Sequence, residues 1–157
     1  MTEDDRFRVE RITAEDTRAL RLAVLRPGQP PERVVYSGDD LATSVHVGVR
    51  DSSGALVSVA SFYREVVSER AADLAGRAGV RIRGMATLPD HRGRGYGRSL
   101  IERGLGEMST DAGDVAWCNA RTTASGYYER VGFLVASEVF DLPDIGPHVV
   151  MARTIGG

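Results

Sequence analysis

Residue types and spacing bear most directly on chemistry in Arg83-Gly84-Met85-Ala86-Thr87-Leu88-Pro89-Asp90-His91-Arg92-Gly93-Arg94-Gly95-Tyr96-Gly97-Arg98. A strand-like run from Val80 to Thr87 leads into a glycine-rich loop, and the loop leads directly into a helical pattern. Glycines let backbone N–H groups approach an anion closely, and a helix N-terminus adds partial positive charge. His91, Arg92, Arg94 and Arg98 gather basic charge at the same place. The chemistry this suits is phosphate binding. A nucleotide P-loop requires Lys-Ser or Lys-Thr after its last glycine, and Gly97 is followed by Arg98-Ser99. A dinucleotide fingerprint begun at Gly93 requires glycine at position 98, where arginine stands. Neither fits.

A second group lies downstream: Trp117-Cys118-Asn119-Ala120-Arg121, then Ala124, then Tyr127-Tyr128-Glu129-Arg130-Val131-Gly132-Phe133. Together the two segments resemble the GCN5-related acetyltransferase family. Its signature of Arg or Gln, two residues, Gly, one residue, then Gly or Ala is matched by Arg92, Gly95 and Gly97. The second segment is similar to the family's next strand and helix, with an Asn near the strand end, an alanine, an aromatic-Tyr pair and Gly-Phe. The resemblance covers residues 80–153 well and the first half only by element order.

The resemblance implies acetyl-CoA as cosubstrate, with no metal. Amides of the loop Arg92, Gly93, Arg94, Gly95, Tyr96, Gly97 and Arg98 are expected to hold the CoA pyrophosphate. The strand at Met85, Ala86 and Thr87 is expected to bond the pantetheine and thioester through its backbone, with Asn119 as a further pantetheine contact. Tyr128 stands where the family places its proton donor for the departing thiolate. A tyrosine of pKa ~10 is protonated at neutral pH and can supply that proton. Ala124, Tyr127, Tyr128 and Val131 also share one helical face, so packing is the competing reading, and it is preferred for Tyr127.

The proton acceptor is less defined. An attacking amine of pKa ~10.4 must lose a proton. His46, Glu65, Glu138 and His148 are the candidates, with His148 preferred because Gly146-Pro147-His148 followed by Met151 resembles the end of some bacterial family members. A His after a proline turn also often bonds the loop it terminates. Cys118 reads as a small core residue rather than a nucleophile.

These residues need elements to position them. Phe7 to Ile12 reads as a strand; Thr13 caps a helix carrying Leu20, Ala23 and Val24, and Pro27-Gly28 ends it. Residues 29–40 read as loop. Val45, Val47 and Val49 alternate with polar or small residues, which predicts a half-buried strand, and Asp51 to Gly54 turns it into a returning strand over 56–63. Residues 66–79 fit a short helix or a connection equally. A strand over 80–87, a helix over 96–108, a strand over 114–119 and a helix over 123–131 capped by Gly132 follow. Strands over 133–140 and 148–153 close the pattern. The expected fold is mixed α/β in one domain over residues 1–157: a single-layer, mostly antiparallel sheet of six or seven strands flanked by helices. Its central parallel strands, 80–87 and 115–119, are expected to splay apart to admit the cosubstrate.

Composition sets the outer bounds. Of the 157 residues 42% are hydrophobic and 27% charged, ordinary for a globular chain, and the formal charge of −2 gives no case for nucleic acid or an anionic membrane. One cysteine excludes an intramolecular disulfide. The acidic start MTEDDRFRVE is no signal peptide, and no stretch reaches the ~20 apolar residues of a membrane span. A cytoplasmic enzyme acting on a small-molecule or peptide amine is the expectation, with a homodimer allowed. Two alternatives stay open: a non-catalytic acyl-CoA-binding sensor, and an acyltransferase with a different acyl donor or acceptor.

Overall fold

Why Thr13 starts a helix is visible in its hydrogen bonds. The Asp16 N–H donates to Thr13 Oγ1 and the Thr13 N–H donates to Asp16 Oδ2, both at 3.1 Å, so two backbone donors are satisfied reciprocally. In this computed structural model, which describes residues 7–108 and 110–155, helix α1 runs Ala14–Leu20 and continues as a π-helical turn, Arg21–Leu25. The acidic start at residues 1–6 lies outside the described residues.

The strands are β1 Val9–Ile12, β2 Val45–Arg50, β3 Leu56–Arg64, β4 Gly79–Thr87, β5 Val115–Arg121, β6 Leu134–Val135, β7 Phe140–Leu142 and β8 Gly146–Thr154. The other helices are α2 Tyr96–Glu107 and α3 Ser125–Arg130. One eight-stranded sheet has the order β1-β2-β3-β4-β5-β8-β6, with β7 pairing β8. Its β4–β5 pair is parallel, and its ladder runs from Gly79↔Val115 to Arg81↔Trp117, while β4 continues to Thr87 and β5 to Arg121. The eighth strand arises because the single strand expected over 133–140 is two short ones, β6 and β7, each paired to β8.

The described residues fall into two units. One comprises residues up to Tyr63 with Arg83–Met108, the other Arg64–Ile82 with the residues after Ser109. In the first, α2 buries Leu100, Ile101 and Leu105, and mid-helix Gly104 lies against the Phe62 ring, where an added Cβ would come 2.0 Å from Cε1. Strand β2 departs from the half-buried expectation: every residue from Val45 to Val49, His46 included, is buried. Both α1 and α2 contact it, so polar positions cannot face water and must find partners inside.

In the second unit, residues 66–78 form no helix. The Val67 N–H donates to the Arg77 carbonyl at 3.0 Å and the Gly76 N–H to the Val67 carbonyl at 2.9 Å, closing the segment on itself. Val67 and Ala71 pack with Val115, Trp117, Val150 and Ala152, and the Trp117 indole N–H donates to the Glu65 carbonyl at 3.0 Å. Two apolar anchors hold this connection where helical periodicity is missing.

Candidate active site

The glycine-rich segment begins where β4 ends. Pro89–His91 makes a single 3-10 turn, and Gly95 then serves as N-cap of α2 with φ +82°, a left-handed conformation that suits glycine. The first bond of the helical ladder is from Ser99 N–H to the Gly95 carbonyl at 3.2 Å. The amides of Tyr96 and Gly97 therefore precede the ladder at the positive end of a 12-residue helix. Gly93 also has positive φ, +79°, and no heavy atom within 4 Å of where a Cβ would stand at Gly93 or Gly95. Arg92 closes the 3-10 turn with its N–H on the Pro89 carbonyl, the Arg94 side chain reaches the Asp90 carbonyl at 3.3 Å, and Tyr96 packs edge-on to Phe7 at 4.6 Å.

Of the expected strand contacts, Met85 and Thr87 are half-buried, whereas Ala86 is buried in the apolar cluster of Leu20 and Val59. Thr87 Oγ1 is held by Ser58 Oγ at 2.7 Å, so the side chain is occupied and the backbone is what this residue offers.

In the second unit, Asn119 on β5 has its Oδ1 buried with no hydrogen-bond partner among the described residues. A buried, unbonded carbonyl oxygen is costly and marks a place where an external N–H would be welcomed. Tyr128 on α3 lies edge-on between Tyr127 and Phe133, with ring centroids 5.3 and 5.8 Å away. Its hydroxyl is hydrogen-bonded to the Cys118 thiol. Burial, then the neighbouring Cys118 and Tyr127, push its ionisation well above the ordinary tyrosine value, so the phenol stays protonated through neutral pH. Cys118 itself is 2% exposed, and burial pushes its thiol up to about 12, as befits a core residue. Gly132, with φ +94°, ends this helix as expected.

The four candidate proton acceptors separate. His46 has both ring nitrogens engaged: Nε2 donates to the Asp39 carbonyl at 2.9 Å, so Nδ1 accepts from Ser61 Oγ at 2.7 Å. Burial lowers its pKa, and it is a neutral structural group. Glu65 pairs with Arg81 at 3.1 Å, and Glu138 is exposed. His148 is 4% exposed, stacks on Phe140, and sits 2.7 Å through Nδ1 from the Gly146 carbonyl. A carbonyl only accepts, so Nδ1 carries the proton and Nε2 is the acceptor nitrogen.

Sequence reasoning passed over a buried polar cluster in the first unit. Arg21, fully buried, donates through Nη1 to Val34 O and Asp39 Oδ2, both at 2.8 Å, and through Nη2 to Asp39 Oδ1 at 3.1 Å, Ser61 Oγ at 2.8 Å and Tyr63 Oη at 3.1 Å. These partners are scattered along the chain, so no local spacing announces them. The signal was a lone arginine on an otherwise apolar helical stripe.

Among known proteins, the family described as "Acetyltransferase (GNAT) domain" matches residues 44–135. A Bacillus subtilis (strain 168) protein, described as the uncharacterized N-acetyltransferase YitI, is 38% identical over 148 residues, covering 94% of this chain and 95% of its own. Escherichia coli ElaA shares the fold with a TM-score of 0.69 at 17% identity, over 94% of this chain and 99% of that one. An acyl-CoA N-acyltransferase from Pseudomonas aeruginosa aligns with a TM-score of 0.64 at 22% identity, over 94% and 97% of the two chains.

Proposed function

This chain belongs to the GCN5-related N-acetyltransferase family and is an acyltransferase, and on that premise we propose that it transfers an acetyl group from acetyl-CoA to a primary amine by direct attack of the amine on the thioester. The observation that carries the reading is the start of α2, where a left-handed Gly95 delivers the Tyr96 and Gly97 amides to the positive end of a long helix.

The loop Arg92–Arg98 holds the pyrophosphate through its backbone, with the arginines adding charge. Backbone groups of Met85 and Thr87 take the pantetheine and the acyl carbonyl, and a strand-end N–H at Thr87 steadies the negative charge that grows on that oxygen. Asn119 Oδ1 accepts an amide N–H of the pantetheine, which satisfies a group that is otherwise orphaned. Tyr128 gives its proton to the departing sulfur. His148, its tautomer set by Gly146, presents Nε2 as acceptor for the amine's proton. The hydrogen bond from Tyr128 to Cys118 is the observation that favours the second reading, an acyl-CoA-binding sensor, because it occupies the hydroxyl in the protein interior.

A panel of primary amines, followed by release of free CoA, tests the reading: the protein should turn over acetyl-CoA with at least one of them. The same assay checks the phosphate loop. Gly97→Val should raise KM for acetyl-CoA about tenfold or more by blocking backbone approach, yet leave thermal unfolding nearly unchanged, since valine is no worse than glycine inside a helix. Gly95→Val is the poorer test, because φ +82° would strain valine in the free protein. Binding without turnover for every amine would favour the sensor.

A further inference from the structure

Three residues of the first unit come together around one aromatic ring. The Tyr36 ring centroid lies 4.1 Å from the guanidinium carbon of Arg21 and also 4.1 Å from that of Arg83. Two permanent cations are therefore held at most twice that distance apart, in a partly buried place where their repulsion is poorly screened. The arrangement is built rather than accidental. Asp39 bonds Arg21 through both carboxylate oxygens and also accepts the Tyr36 N–H at 3.0 Å, so one carboxylate fixes both the cation and the ring's backbone. Gly84, with φ +64°, brings the β4 backbone against the same pair: an added Cβ would stand 2.9 Å from Arg21 Nε and 3.1 Å from the Tyr36 ring.

Charge in the cluster does not balance around Asp39. Arg18 reaches the same carboxylate at 3.6 Å, so two guanidinia share one acid before Arg83 is added. Arg21 is enclosed and its terminal nitrogens are engaged, so it cannot serve as the contact for a ligand. Arg83 is half-buried rather than enclosed. A guanidinium stacked by its face on an aromatic ring keeps its N–H edge in plane for a forked, bidentate bond to a carboxylate.

We infer that Arg83, held on Tyr36 with Arg21 behind it, receives a carboxylate on the acceptor, so the acceptor is an amino-acid-like molecule bearing both an amine and a carboxylate. This rests on the proposed transfer reaction, which places the thioester at Met85 and Thr87. Arg83 precedes Met85 by two residues of extended strand, roughly 7 Å. That distance suits an acceptor whose amine reaches the thioester while its carboxylate lies a few bonds away.

The test titrates amines into the protein saturated with CoA, a complex that binds an acceptor without turnover. Short α- and ω-amino acids are each paired with the corresponding amide. At least one amino acid should bind tenfold or more tightly than its amide, and Arg83→Gln should erase that difference while acetyl-CoA affinity and melting temperature stay as in the wild type. Arg83→Lys, which keeps charge but loses the fork, should recover only part of it. Equal binding of acids and amides, a preference that survives Arg83→Gln, or no binding by any pair member would overturn the inference. Intact acetyl-CoA binding in those cases leaves the transfer reading standing, whereas its loss in the wild type removes both.

Discussion

Tyr128→Phe should retain acetyl-CoA affinity and slow turnover about 100-fold or more, the usual worth of general acid catalysis. The substitution removes one hydroxyl and leaves the ring packed between Tyr127 and Phe133. What disappears is a proton donor that its surroundings hold in the protonated form: burial comes first, and the neighbouring Cys118 and Tyr127 add to it. The lost bond to Cys118 carries only about 1 kcal/mol of stability, so the protein should remain folded. Tyr127→Phe is the matched control and should be nearly silent. Steady-state rates at saturating acetyl-CoA, with chemistry shown to limit turnover, make the measurement. An unchanged rate in Tyr128→Phe would return Tyr128 to core packing.

Asp39→Ala should be the most damaging change to stability among the residues discussed, about 3–5 kcal/mol, with a fall in melting temperature on the order of 10 °C. The reason is Arg21, fully buried and paired to Asp39 at 2.8 Å, which the variant would leave charged without its partner. Despite burial, which opposes ionisation, the Arg21 and Tyr63 hydrogen bonds lower the Asp39 carboxyl from 3.8 to about 2. A group whose folded pKa is depressed stabilises the protein fully above its unfolded value, and that stability fades as pH falls through the folded one. The wild type should therefore lose stability as pH drops from about 4 toward 2, and Asp39→Ala should lack this part of the acid limb. Denaturant melts across that range check it, and a variant within about 1 kcal/mol of the wild type would show that Arg21 finds other compensation.

Much of this was legible from local pattern. The Thr13 cap, the α2 stripe of Leu100, Ile101 and Leu105, and the Gly132 helix end each depend on neighbours within one or two turns, and each stands where the residues put it. The phosphate loop was legible for the same reason, since glycines and a helix start are sequential features. What failed was whatever depends on a second surface. β2 alternates in sequence but is covered on both faces, so His46 turned from a solvent-side candidate base into a buried group bonded to Ser61 and Asp39. Residues 133–140 broke into β6 and β7 because their partner, β8, lies later in the chain. The Arg21 cluster was invisible because its members meet only after folding, Arg21 and Tyr63 being 42 residues apart. Gly104 shows the same limit: nothing near it in sequence tells that the Phe62 ring occupies its Cβ position.

The central claim is that the loop and helix beginning at Arg92 bind a CoA thioester, and calorimetric titration of the wild-type protein with acetyl-CoA tests it most directly. One site per chain is expected, with binding weakened in Gly97→Val and unchanged in Tyr128→Phe. No heat of binding up to millimolar acetyl-CoA, a free energy weaker than about −4 kcal/mol, would contradict the account at its base.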